Sequence, residues 1–317
     1  MKTRTRTLLV CGVMGHIGFE IARVAAEKKY KVIGVYNKSQ NHKKIKILKK
    51  LKVKLIKNNL QNIYTLKKII KVNNLESCVY ASAVSHEIYA KKNPNKTLDV
   101  NCRGVQNLLS VINKKFKFIY LSTGSVYQDI KNQKKINEDK IPTPTSLYSG
   151  TKRLGEIIVD FYHQNFNKNC TSLRVSWVYG PPIICRKINI QRGPIPFLVY
   201  KFSKNKTIFN LKSGKAFKAS FTYIDDVTYT ILSLLDIKKF KSSSYNLGTG
   251  KNNNIAEIFK ILNKVKKIKF KIGKGVSPWS NSSVVRGPLN SKYKNIKANI
   301  NLKNGLIKYL EWLKINA

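Results

Sequence analysis

The chain has 317 residues, 42% of them hydrophobic, and a formal net charge of +46 from 61 Lys and Arg against 15 Asp and Glu. That length can bury a substantial core in one large domain or two modest ones, and no apolar run approaches the ~20 residues needed to span a bilayer. Five scattered cysteines with no Cys-x-x-Cys pair fit a reduced cytoplasm, and His16, His42, His86 and His163 lack the spacing of metal ligands, so no metal site is expected.

In chain order, the basic start runs through Leu8-Leu9-Val10-Cys11-Gly12 into glycines and reads as a first strand, its apolar stretch being too short for a signal peptide. A helix over Ile17 to Lys28 and a strand over Lys31 to Tyr36 follow. Between strand and helix lies Gly12-Val13-Met14-Gly15-His16-Ile17-Gly18. Glycines here let the turn close and let backbone approach a pyrophosphate at the positive end of the helix. After the second strand, a carboxylate would bond the adenosine ribose of NAD; Asn37, Lys38 and Ser39 stand there instead, which leans the cofactor toward NADP.

The densest basic run, His42 to Lys52, carries apolar residues at helical spacing, so its lysines are expected to form the wet face of an amphipathic helix. Lysine, asparagine and isoleucine abound along the whole chain, and a solvated surface is favoured over a nucleic-acid site. Such a charge would still attract an anionic substrate. Strands are expected at Lys52 to Ile56, Ser77 to Ala81 and Phe116 to Ser122, with helices between. This alternation predicts an α/β fold, a Rossmann-type doubly wound parallel sheet. The second half is less regular, with turns at Gly180-Pro181-Pro182, Gly193-Pro194 and Ser213-Gly214 and a last helix near Lys303 to Lys314 burying Leu306, Leu310 and Leu313. The expected division is a Rossmann domain over 1–180 with a returning segment at about 215–236, and a smaller C-terminal α/β substrate domain over 181–317.

Tyr148 and Lys152 are four residues apart and so share one helix face. A free tyrosine titrates near ~10, and its use as a base at neutrality takes about 4 kcal/mol. One cation about 5 Å away contributes on the order of 3 kcal/mol at an effective dielectric near 20. The pair is therefore chemically sufficient for proton transfer, and the same spacing also occurs on solvated helices with no such role.

Taken together the motifs resemble the extended short-chain dehydrogenases/reductases, the NAD(P)-dependent epimerase/dehydratase group. The resemblance rests on Gly12-x-x-Gly15-x-x-Gly18, Ala81-Ser82-Ala83, Asn101, Leu121-Ser122-Thr123-Gly124-Ser125-Val126-Tyr127 and Tyr148-x-x-x-Lys152. It continues through Leu173-Arg174, Val178-Tyr179-Gly180-Pro181, Phe221 to Val227 and Tyr245-Asn246-Leu247-Gly248, so it covers nearly the full length.

The resemblance implies that Thr123 bonds the reacting sugar oxygen, Tyr148 exchanges its proton, and Lys152 supports the tyrosine while holding the nicotinamide ribose. It implies an NAD(P) site formed by Gly12, Gly15, His16, Ile17, Gly18, Asn37, Lys38, Asn59, Leu60, Ala81, Ser82, Ala83, Asn101, Tyr148 and Lys152. Ser125, Trp177 and Arg286 are the implied substrate contacts, Arg286 facing a diphosphate, and a homodimer is implied as well. Three departures are visible: Asn59-Leu60 in place of Asp-Leu, Ala219-Ser220 where an arginine is common, and Trp177 where epimerases often carry asparagine. Dehydratases of the group have acids just after the catalytic Ser/Thr; Gly124 and Ser125 cannot do that work, so elimination of water is disfavoured. The expected activity is a nucleotide-sugar epimerase. A NADPH-dependent 4-keto-sugar reductase is the alternative, and a non-catalytic NADP-binding or nucleic-acid-binding protein is a third reading.

Overall fold

A computed structural model describes residues 6–38, 41–85, 87–127, 135–186, 193–275, 279 and 287–317. The elements begin β1 (Thr7–Cys11), α1 (His16–Glu27), β2 (Lys31–Tyr36), α2 (His42–Lys50), β3 (Lys54–Lys57), α3 (Ile63–Val72) and β4 (Ser77–Tyr80). They continue with α4 (Glu87–Lys92), α5 (Pro94–Leu98), a π-helical turn (Asp99–Arg103), α6 (Gly104–Val111), β5 (Lys117–Thr123), α7 (Leu147–Asn165) and β6 (Cys170–Val175). The chain forms two compact units. The first draws on Met1–Val126, Pro144–Arg174 and Thr228–Tyr245; the second on Tyr127–Thr143, Val175–Val227 and Asn246–Ala317.

The first unit holds the expected α/β fold. Its sheet runs β3-β2-β1-β4-β5-β6 and ends on the strand Ser244–Leu247. β1 pairs in parallel with both β2 and β4, β2 with β3, and β4 with β5. All five residues of β1 are buried, as a parallel strand covered on both faces requires. One face packs Leu9, Cys11, Ile33, Cys78, Tyr80, Phe118 and Tyr120 against Val105, Leu108 and Leu109 of α6 and Val159 of α7. Strand order reverses between β1 and β4, so the segments after these two strands open the crevice where doubly wound sheets bind ligands.

α2 confirms the reading of the basic run, with Leu48 its one fully buried residue and Asn41 Oδ1 capping its start by accepting from Lys44 N at 3.0 Å. The next strand begins two residues later than the pattern suggests, because Lys52 turns the chain with φ +58° before it extends.

In the second unit, Ile208–Leu211 pairs in parallel with Lys269–Ile272, and Val178–Tyr179 with Thr222–Tyr223. The three expected turns hold glycines at positive φ, Gly180 (+116°), Gly193 (+74°) and Gly214 (+108°). The last helix, Leu302–Asn316, buries Leu306, Leu310 and Leu313 as expected, and also Tyr309.

Candidate active site

The glycine turn is built by close backbone approach. Gly12 sits at φ +79°, and a Cβ there would lie 2.7 Å from Ser82 N, so the turn rests directly on the Ala81-Ser82 backbone after β4. A Cβ on Gly18 would lie 2.3 Å from the Gly12 carbonyl, which is why the first turn of α1 can close against the loop. Gly12 N and Val13 N both donate to the Val35 carbonyl, tying the turn to the end of β2. Gly15 caps α1 without a side-chain hydrogen bond, and no acid occupies the first turn of the helix. His16 and Ile17 begin α1, so the backbone amides and dipole of this end favour an anion.

Asn37 and Lys38 follow β2 as exposed residues, Asn59 is exposed with Oδ1 accepting from Gln61 N at 3.3 Å, and Leu60 is buried. Ser39 and Arg286 lie outside the described residues. Ala81 and Ser82 are half-buried and Ala83 is exposed at the mouth of the crevice after β4.

Thr123 ends β5, buried, with its Oγ accepting from Ser125 N at 3.1 Å. Tyr148 and Lys152 lie in the first two turns of α7, which starts in a reciprocal cap: Ser146 Oγ accepts from Ser149 N, and Ser149 Oγ accepts from Ser146 N. Tyr148 is half-buried. Lys152 is fully buried, and its Nζ has no hydrogen-bond partner among the described residues. It sits 3.9 Å from the centroid of the Tyr120 ring, a cation–π contact that partly replaces lost hydration. Burial pushes the Lys152 ammonium down to about 7, while Glu156 and Cys102 act in the opposite sense. The Cys102 thiol is pushed up to about 11, again by burial.

Asn101 lies in the π-helical turn, a distortion common at functional sites. Its side-chain amide is taken by protein: Oδ1 accepts from Val84 N (2.9 Å), and Nδ2 donates to the Val84 carbonyl (3.3 Å) and to Thr151 Oγ (3.0 Å). The Asn101 carbonyl accepts from the Tyr120 hydroxyl at 3.0 Å. Asn101 thus joins the loop after β4 to the run between Tyr148 and Lys152. Trp177 belongs to the second unit, at φ +35°, with its ring packed on Gly193 and edge-on to Phe217.

Three neighbours of the site escape sequence reasoning. Tyr120 lies under Lys152, Glu156 follows Lys152 by one helical turn, and Lys44 reaches back from α2. Its Nζ donates to the carbonyls of Met14 (3.0 Å) and Gly15 (3.3 Å). Only Glu156 left a usable trace, an acid at i+4 from Lys152 in a chain with few acids.

A switch-point crevice with a glycine turn and a buried lysine define a dinucleotide-binding α/β protein. The orphaned Lys152 Nζ and the two glycines with no room for a Cβ fit a nicotinamide dinucleotide. Residues 8–248 match the NAD dependent epimerase/dehydratase family, and the chain belongs to that family. It is an enzyme of the extended short-chain dehydrogenase type.

Among curated proteins, UDP-glucuronate 4-epimerase 4 of Arabidopsis thaliana is 24% identical, over 96% of this chain and 75% of that protein. Among solved structures, UDP-glucose 4-epimerase of Thermotoga maritima with UDP-glucose has a TM-score of 0.81 at 22% identity, covering 98% of this chain and 99% of that one. The dTDP-glucose 4,6-dehydratase of Bacillus anthracis in complex with NAD also scores 0.81, at 20% identity, covering 98% and 97%. Identity this low shows the fold alone, and the fold serves both reactions. Among the described residues, no helix is long and apolar enough to cross a membrane.

Proposed function

We propose that this enzyme is a nucleotide-sugar 4-epimerase that works by reversible hydride transfer at a sugar hydroxyl. The observation that carries the reading is the pair Gly124 and Ser125 after Thr123, which offers neither acid nor base for elimination. The resemblance to proteins named as UDP-sugar 4-epimerases supports it. When bound, the dinucleotide supplies a hydride acceptor for the sugar carbon and a donor for its return. Gly12, Gly15, His16, Ile17 and Gly18 would hold the pyrophosphate, Asn37, Lys38, Asn59 and Leu60 the adenosine end, and Ala81 to Ala83, Tyr148 and Lys152 the nicotinamide half, while Asn101, fully buried with its amide bonded to Val84 and Thr151, would support the site from behind instead of touching the cofactor.

Thr123 Oγ accepts from Ser125 N–H, so its own proton is available for the sugar oxygen. Tyr148 exchanges the hydroxyl proton, and Lys152 offers a positive charge four residues away on the same helix. Ser125, Trp177 and Arg286 are proposed substrate contacts, with the second unit as the substrate-binding part.

The reductase reading draws on one specific observation, the absence of a carboxylate at Asn37 beside Lys38. The missing carboxylate, with Lys38 and Ser39 beside it in the sequence, is the basis for preferring NADP, whereas the Bacillus anthracis enzyme is described with NAD. Denaturing the purified protein and identifying the released dinucleotide separates the two. Retained NAD supports epimerisation, and freely exchanging NADP supports reduction.

A homodimer is proposed through α7, where Leu154, Ile157 and Phe161 are about half exposed on neighbouring turns. Light scattering at moderate salt tests it, a monomer being the contrary result. A cytoplasmic location is proposed on five free cysteines.

A further inference from the structure

Glu156 is buried one turn beyond Lys152 and accepts from four donor atoms of three residues on three elements. Its Oε1 accepts from Ser122 Oγ on β5 (2.5 Å) and from Arg174 Nε on β6 (2.9 Å). Its Oε2 accepts from Arg174 Nη2 (2.9 Å) and from Arg153 Nη1 on its own helix (3.0 Å). The Arg174 and Glu156 side chains are almost fully buried, 4% and 1% exposed, while Arg153 keeps 30% exposure. A carboxylate held this way is fixed in place, because each of its oxygens accepts bonds from donors on two different elements.

Two consequences follow from its place. Ser122 precedes Thr123 on β5, and Arg153 follows Lys152 on α7, so the carboxylate links the strand of one proposed catalytic residue to the helix carrying the other two. Glu156 also lies one helical turn from Lys152; the Tyr120 ring from β5, the Cys102 thiol from the π-helical turn, and Tyr148 on its own helix are further neighbours of the lysine, and none of these three is a carboxylate. We propose that Glu156, clamped by Arg174, Arg153 and Ser122, is a positioning residue that ties Thr123 to α7 and supplies the negative charge that favours the Lys152 cation. This rests on the proposed use of Thr123, Tyr148 and Lys152 in catalysis.

The two neighbours of Lys152 on α7 predict opposite effects. Removing the carboxylate takes a negative charge from beside the lysine and makes its cation harder to hold; removing the Arg153 cation, the next residue in the chain, makes it easier. The experiment follows unfolding of the full chain without ligand from pH 5 to 10, for wild type, Glu156→Gln and Arg153→Gln. Each is compared with the same protein carrying Lys152→Met, so that the difference isolates the lysine. The pH at which this difference begins to change reports protonation of Lys152 in the folded state.

Glu156→Gln is expected to lower that pH by roughly one unit and Arg153→Gln to raise it by about half a unit. An unmoved bend in Arg153→Gln, or movement of both variants in the same direction, overturns the proposal. Arg153 is partly exposed and supplies one of the four bonds to Glu156, so its variant decides the question even where Glu156→Gln does not fold. The readout is independent of any substrate. Failure of the functional reading would instead appear as unchanged turnover in Tyr148→Phe.

Discussion

Lys152→Met should make the protein without ligand more stable while ending its activity. The lysine falls from an ordinary 10.5 to about 7 on burial, with no hydrogen-bond acceptor at its Nζ among the described residues. At 1.36 kcal/mol per decade, holding it in the fold costs about 4 kcal/mol at pH 7. Methionine fills a similar volume without charge but forfeits the cation–π contact with Tyr120, about 1–2 kcal/mol. The net gain is therefore about 2–3 kcal/mol, or roughly 3–5 °C in melting temperature for a chain of this length.

The size of this gain depends on pH. Between about 7 and 10.5 the unfolded lysine binds a proton that the folded one does not, so wild-type stability contributed by this group rises with pH across that window. It is at its lowest below 7. The advantage of the variant should thus be greatest below pH 7 and fade toward pH 10, measured by denaturant unfolding at a series of pH values. A variant no more stable than wild type at pH 6, or an advantage that does not shrink as pH rises, would refute the reasoning.

Other outcomes follow from the same geometry. Tyr148→Phe should abolish turnover with dinucleotide affinity within about two-fold by calorimetry, since the phenol is used for proton transfer and Lys152 remains. Gly18→Ala places a methyl 2.3 Å from the Gly12 carbonyl; dinucleotide affinity should drop at least about ten-fold and stability by about 1–3 kcal/mol, read by titration and melting. Asn101→Ala leaves Val84 N without its acceptor and detaches the loop after β4 from Thr151, a loss of about 1–3 kcal/mol visible in urea midpoints. For the +46 charge, a gel shift with duplex DNA at two salt concentrations should show only weak, steeply salt-sensitive binding; tight binding that persists at high salt would favour a nucleic-acid function.

The sequence by itself determined the kind of fold and singled out the candidate reactive groups. Alternation of apolar strands with helical segments specifies a parallel sheet, and glycines after the first strand specify a turn that backbone can approach, because both are local properties of pattern and φ. Tyr148 and Lys152 were legible for the same reason, four residues on one helix. Solvation of the basic run was equally local, apart from Lys44, which only folding returns to the Met14 and Gly15 carbonyls.

What required tertiary structure was everything set by long-range neighbours. Tyr120 lies on another element, and nothing near Lys152 in the chain announces a ring 3.9 Å beneath it. Nor does spacing reveal that the lysine is buried without a hydrogen-bond partner among the described residues, so that the cation that would assist the tyrosine is itself hard to hold at neutrality. Glu156 stood in plain sight, but its pairing with Arg174 and Ser122 joins three elements that only the fold brings together. Charge state in a buried site depends on desolvation and on every facing group, and both are properties of packing that no sequence interval encodes.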